Sequence, residues 1–241
     1  MRASWIIAKR ELQSYFDSLI AYVMIIIFLG FTGFFTWLFG GGDIFMSKQA
    51  SLQIFFGVSY WTLFFFIPAI TMRQLAEERK TGTIELLLTK NVSDRQVVIG
   101  KFLATFILVC IALFCTLLNV YTIAKLGNLD TGATFGGYFA LLLMSAAYIS
   151  IGLYASSISK NQIVALLLSL MIGVFFHFLF GVIAGSLTGG LAEVFNYMNL
   201  YTHFESVSRG VIDTKDLVYF LSIIALGLLL AELSLSKRNI A

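Results

Sequence analysis

The chain has 241 residues, 59% of them hydrophobic and 12% charged, with a formal net charge of +3. A soluble domain carries about 25% charged residues. So apolar a chain cannot hide its surface in one water-soluble core, and most of it must face lipid. No basic tract suited to nucleic acid is present, so no nucleic-acid partner is expected.

Over residues 1–19, Trp5, Ala8, Leu12, Phe16 and Leu19 recur at helical spacing, while Lys9, Arg10, Gln13 and Asp17 lie elsewhere on the wheel. The pattern predicts a helix lying in the inner membrane interface, apolar face down. A cytosolic extension of the first span is the other reading. The following apolar run is too long for a signal-peptide core and has no small-residue cleavage site, so the N-terminus is expected to be retained.

Six apolar runs follow: Leu19–Phe39, Ile54–Met72, Phe102–Ala124, Phe135–Ser157, Ile163–Ile183 and Leu217–Leu235. About 20 residues cross the hydrocarbon as a helix. None of the runs alternates polar and apolar residues as a barrel strand would. An all-α membrane protein with six transmembrane helices is expected. The only proline, Pro68, should kink the second span by removing a backbone donor.

Between the second and third spans lies the charged segment 73–101. It holds six of the sixteen Lys and Arg residues and four of the thirteen acids. Gly82 should end the helix leaving the second span, and a short helix should follow over Thr83–Leu88. Ser93 and Gln96 have the spacing of a capping box, with Val92 and Val97 as its staple, and should start the third span. Cys110 and Cys115 face different directions on that span and read as packed apolar side chains.

The basic residues fix an orientation. With the N-terminus in the cytosol, the inner segments hold Arg2, Lys9, Arg10, the six of segment 73–101, Lys160, Lys237 and Arg238. The outer segments hold Lys48, Lys125, Arg209 and Lys215, so twelve stand against four. Both termini are expected in the cytosol. After the fifth span, segment 184–213 is too apolar for a free loop. It reads as two short helices re-entering the outer leaflet against protein, with Thr202-His203-Phe204-Glu205 as a candidate cap. Asp213 should cap the sixth span. Gly181, Gly185 and Gly189 recur every four residues. They form a small-residue stripe that a partner helix could approach, or else serve packing and helix breaking within the chain.

Several chemistries find no support. There is no phosphate-binding loop of the G-x-x-x-x-G-K-[ST] type, and Gly40-Gly41-Gly42 runs into an acid, Asp43. His177 and His203 have no metal-ligand spacing, so no metal site is expected, and no nucleophile–base set shares a membrane layer. No catalytic residue is therefore assigned. His177, amid Phe175, Phe176, Phe178 and Phe180, is either a neutral packing side chain or a proton carrier. Glu232 lies near Lys237 and Arg238 and reads as an interfacial acid. With so few charges within the spans, energy for transport should come from another chain.

The charged segment offers Glu77, Glu78, Arg79 and Lys80 to a polar partner, and Ile84, Leu86, Leu87 and Leu88 to an apolar groove. A solvated loop folded onto the membrane is the plainer reading. The pattern Arg73-x-x-Ala76-Glu77-Glu78-Arg79-x-x-Gly82-Thr83-x-Glu85-x-Leu87-Leu88 resembles the cytosolic signature of type 2 ABC transporter permeases. Further likeness lies in Gly100-Lys101, in Gly127-Asn-Leu-Asp-Thr-Gly-Ala-Thr134, in Ser159-Lys-Asn-Gln-Ile163 and in His203-Phe-Glu-Ser-Val-Ser-Arg-Gly-Val-Ile-Asp213. Together these resemble the GldF branch of gliding-motility permease subunits.

The resemblance implies one permease domain over residues 1–241. It comprises an interfacial helix (1–18), a cytosolic coupling loop (73–101) and an outer re-entrant segment (184–213). Glu77, Glu78, Arg79, Gly82, Thr83, Ile84, Glu85, Leu86 and Leu87 would meet a cytosolic ABC ATPase dimer, which would hold ATP and Mg. This chain would hold no cofactor and would not itself be an enzyme. Gly181, Gly185 and Gly189 would meet a second permease subunit, a different chain with a large external domain. His203, Phe204, Ser208, Arg209, Gly210 and Asp213 would form an outer motif. The setting would be the bacterial inner membrane. The function would be gliding-motility-associated export, or else transmission of ATPase motion to an external partner without a cargo. Asn91 stands where the family often has proline after the coupling helix.

Overall fold

The computed structural model describes residues 2–39, 50–82 and 92–236. The expected helix Thr83–Leu88, with Ile84, Glu85, Leu86 and Leu87, lies outside the described residues, as do Gly40–Gly42 and the chain's last five residues. The described residues form α1 (Arg2–Asp17), α2 (Ile20–Trp37), α3 (Gln53–Thr71), α4 (Ala76–Thr81), α5 (Asp94–Cys115) and α6 (Leu117–Leu126). They continue as α7 (Thr131–Ile158), α8 (Gln162–Val174), a π-helical turn (Phe175–Leu179), α9 (Phe180–Ser186), α10 (Gly190–Met198), α11 (Leu200–Ser208) and α12 (Thr214–Ser236). Six helices or helix runs are long and apolar enough to cross a membrane: α2, α3–α4, α5–α6, α7, α8–α9 and α12. No strand occurs among the described residues.

The third membrane-spanning run starts as expected. Ser93 Oγ accepts from the Gln96 amide at 3.3 Å, and Gln96 returns its side-chain oxygen to the Ser93 amide at 3.1 Å. The most buried of the six, α7, forms the centre of the bundle. It packs on α12, α3, α8, α11 and α5. Small residues permit this closeness. Gly227 of α12 faces Ser150 of α7, where an added Cβ would lie 2.8 Å from the serine Cβ. By contrast α2, α8 and α12 leave many large apolar side chains outward, among them Ile26, Phe31, Leu167, Met171 and Leu229, as lipid-facing helices do.

At three places the helices differ from the sequence expectation. The apolar stripe on α1 is divided. Trp5 is exposed, whereas Ala8 and, from outside the stripe, Ser4, Ile7 and Tyr15 are buried. The cause lies on α5, where Gly100 has no side chain and Ile7 and Ser4 O come within 2.9 Å of where its Cβ would stand. A groove for α1 therefore exists on α5, and α1 turns its small-residue face into it. The helix containing His203 starts at Leu200, capped by Asn199, whose side chain accepts from the Tyr201 amide. Thr202 lies inside that helix rather than at its start. The helix after the π turn ends at Ser186, and Gly189, at φ 77°, begins the next one. Gly181 and Gly185 therefore share a helix that Gly189 does not.

Candidate functional site

The helix leaving the second span carries the chemistry. After α3 the chain makes one turn at residues 72–75, then forms α4, which Gly82 ends with φ 71°. Such a left-handed end is cheap only for glycine. The start of α4 has no cap of its own. Instead Ser156 of α7 supplies one, its hydroxyl accepting from the Leu75 and Ala76 amides at 3.1 and 3.0 Å. The same hydroxyl donates to Met72 O at 3.0 Å. One side chain of the central helix thus satisfies three backbone groups of the turn.

Beside it lies a buried charge cluster. Lys101 of α5 is 1% exposed. Its Nζ lies 2.8 Å from Glu78 Oε1 and 3.3 Å from Glu11 Oε1. Arg10 joins from the rim, 2.7 Å from Glu11 and 3.8 Å from Glu78. Two cations and two carboxylates from α1, α4 and α5 balance. A buried ammonium is tolerable only with such partners. Burial would push the Glu11 carboxyl up, but Lys101 and then Arg10 outweigh it and hold it below its ordinary value. Behind the cluster, Gln74 donates to both Tyr15 and Thr105, and the Tyr15 and Thr105 hydroxyls lie 3.1 Å apart. This ties the turn to α1 and α5 a second time.

Arg79 extends the junction in the other direction. Its guanidinium donates to Ser157 O near the end of α7 and, at 3.2 Å, to Ser234 O near the end of α12. Ser234 Oγ also donates to Ser157 O at 3.1 Å. Carbonyls in a helix's last turn lack intrahelical donors, and the dipole there favours a cation. One six-residue helix, α4, is therefore held by α1, α5, α7 and α12. A displacement of α4 must move those helices or break these bonds.

Of the residues assigned to a docking role that are described here, Glu77 and Gly82 are exposed. Glu78 and Arg79 instead make the contacts just given inside the chain. Glu11, Gln74, Lys101 and Ser156 had no place in the sequence-derived site. One signal existed for Lys101, since a lysine at the edge of an apolar run, between Ile99 and Phe102, needs a carboxylate if it is buried.

At the opposite end of the bundle, His203 Nδ1 lies 2.6 Å from Asp216 Oδ1 and His203 Nε2 lies 2.8 Å from Tyr197 O, with both side chains buried. Phe204 is buried and packs on Tyr60. Arg209 pairs with Glu205 one turn away, and Ser208 Oγ donates to Glu205 O at 3.0 Å. Asp213 caps α12 through the Lys215 amide, and the Lys215 ammonium lies 3.1 Å from its Oδ2. That side-chain hydrogen bond from Lys215 lowers the Asp213 carboxyl below its ordinary value. Asp216, absent from the expected motif, is the buried partner of His203. Gly181 faces Asn199 within the chain, with an added Cβ at 2.7 Å from the amide nitrogen, while Gly185 and Gly189 have open space around them.

In the bundle interior, His177 sits in the π turn between the Tyr60 and Phe64 rings, with centroids at 4.1 and 4.3 Å. Its Nδ1 lies 2.7 Å from the Tyr148 hydroxyl. Among the described residues no group of three His, Cys, Asp or Glu is placed to hold a metal. A family model described as ABC-2 family transporter protein matches residues 5–236. No curated protein matches the chain.

Proposed function

The chain belongs to the ABC-2 family of transporter proteins, and from that premise we propose that segment 73–101 is the element through which a separate ATPase drives this subunit. The protein is a membrane-spanning permease subunit of an ABC transporter, and such a subunit associates with an ABC ATPase. In the proposed reading, Thr83–Leu88 docks in a cleft of a cytosolic ATPase dimer that holds ATP and Mg. Glu77, Glu85 and the apolar Ile84, Leu86 and Leu87 make the contact. Glu78 and Arg79 act behind it, passing displacement of α4 to α1, α5, α7 and α12. The observation that carries this reading is the convergence of four helices on one short helix at the start of the charged loop.

The wider assignment rests on the sequence resemblance and on the basic-residue distribution. It places both termini in the cytosol and the protein in a bacterial inner membrane. A second permease, a different chain with a large external domain, completes the pathway, with Gly185 on the face that meets it. Gliding-motility-associated export is the proposed process. Transmission of motion to that external partner without a cargo is the second reading, and the same convergence of helices favours it equally. Glu85→Lys tests the docking itself. It should leave membrane insertion intact and reduce ATPase copurification, or leave the ATPase bound without permease-dependent hydrolysis. Wild-type binding together with wild-type hydrolysis would contradict the docking role.

A further inference from the structure

Two sequence segments singled out above have no part in ATPase coupling, namely Gly127–Thr134 and His203–Asp213. They meet at the end of the bundle opposite α4. An added Cβ at Gly210, whose φ is 88°, would stand 3.1 Å from the Gly132 carbonyl, and one at Gly136 would stand 2.8 Å from Gly210 Cα. No side chain fits between them, so the start of α7 and the end of α11 are fixed side by side. Between these segments and the start of α3 lies a cavity of about 350 Å³, within the size range of small-molecule sites.

Its lining has a distinct chemistry. Buried Leu52, Phe56 and Phe204 line it together with the exposed Tyr201. Five planar polar side chains ring it: Gln53, Asn128, Asp130, Glu205 and Arg209. Asp130 uses Oδ1 to cap α7 through the Ala133 amide at 3.0 Å, and Glu205 uses Oε1 on Arg209. Among the described residues the second oxygen of each carboxylate takes no hydrogen bond.

Charge and polarity narrow the class. Two carboxylates against one guanidinium disfavour an anion. A purely apolar ligand would strip water from planar donors and acceptors and return no hydrogen bonds. A free cation would compete with Arg209, already seated on Glu205. A neutral ring bearing many hydroxyls fits all three conditions. Its hydroxyls reach carboxylate, amide and guanidinium edges, and its C–H faces lie on the aromatic rings. We propose that this cavity is a carbohydrate site taking one sugar unit of a glycan. The site is separate from the ATPase-coupling reading, and each stands or falls alone.

The full chain in lipid nanodiscs, free of sugar-headed detergent, is the sample. Saturation-transfer difference NMR is recorded with the methyl glycosides of glucose, galactose and mannose, with N-acetylglucosamine, and with cyclohexanol as an apolar control. At least one sugar should receive saturation well above cyclohexanol. Gly57 lines the cavity, and an added Cβ there meets nothing within 4 Å. Gly57→Leu should therefore fill the cavity while the helix stands, and weaken sugar binding at least tenfold. Tyr201→Ala, an exposed change, should weaken it several-fold and covers the case in which Gly57→Leu fails to fold. No transfer to any of the sugars, transfer to cyclohexanol equal to that of the sugars, or undiminished binding in a folded variant would overturn the proposal.

Discussion

At the end of the bundle that holds α4, polar contacts join residues far apart in sequence. Lys101 pairs with Glu78 across 23 positions, Tyr15 meets Thr105 across 90, and Arg79 reaches Ser157 and Ser234 across 78 and 155. At the opposite end most polar contacts are shorter in sequence, although Trp37 Nε1 donates to Asn119 Oδ1 across 82 positions. His203 pairs with Asp216 across 13 positions and with Tyr197 across six, and Arg209 pairs with Glu205 across four. Shorter-range pairs chiefly hold segment 190–220 in shape. Long-range pairs fix helices against one another, so a push on one is felt by all. In the proposed reading the first end transmits movement and the second presents a surface.

The comparison can be broken by experiment. Lys101→Met should have the largest effect. It leaves Glu78 and Glu11 with only the rim guanidinium of Arg10, and removing one partner of a buried pair costs about 3–5 kcal/mol. Thermal unfolding in nanodiscs should fall steeply, and cysteines placed along α1 should gain reactivity. Loss of stability with α1 still protected would mean that packing at Gly100, rather than charge, holds α1. Asp216→Ala should cost less, about 1–3 kcal/mol for an unpaired buried donor on His203. Its reactivity changes should stay within residues 190–220; spread to α1 or α4 would erase the difference between the two ends. The smallest effect concerns pH. The Glu11 carboxyl is held below its ordinary value in the folded protein. Its contribution is therefore complete above the ordinary carboxyl range and fades as pH falls through the lowered value. Wild type should lose more stability on acidification than Glu11→Gln, and parallel pH curves would show that Glu11 is not held by Lys101.

The sequence made some of this legible. Six apolar runs, the capping box at Ser93–Gln96 and the helix stop at Gly82 follow from residue type and spacing alone, and each stands in the structure. Thr202–Glu205 matched a capping pattern as well, but Asn199 is an equally good cap with Leu200 behind it, and Glu205 is engaged by Arg209. Local spacing cannot rank two competing caps. Nor could it show which side of α4 faces inward. Glu77, Glu78, Arg79 and Lys80 read as one run of mixed charge, and only the positions of Lys101, Ser157 and Ser234 single out the middle pair. Those partners are set by tertiary packing around Gly100 and Ser156, which leaves no periodic trace in the sequence.

Arg79 is the most direct probe of transmission, because it touches α7 and α12 and stands outside the proposed ATPase contact. Arg79→Gln removes the fork that caps both helix ends. The measurement is ATP hydrolysis by the reconstituted complex of permease and ATPase, alongside copurification of the two, with Lys80→Gln on the exposed side as the control. The predicted result is normal ATPase binding with permease-dependent hydrolysis lost in Arg79→Gln and kept in Lys80→Gln. Wild-type hydrolysis in a folded Arg79→Gln complex would contradict the account.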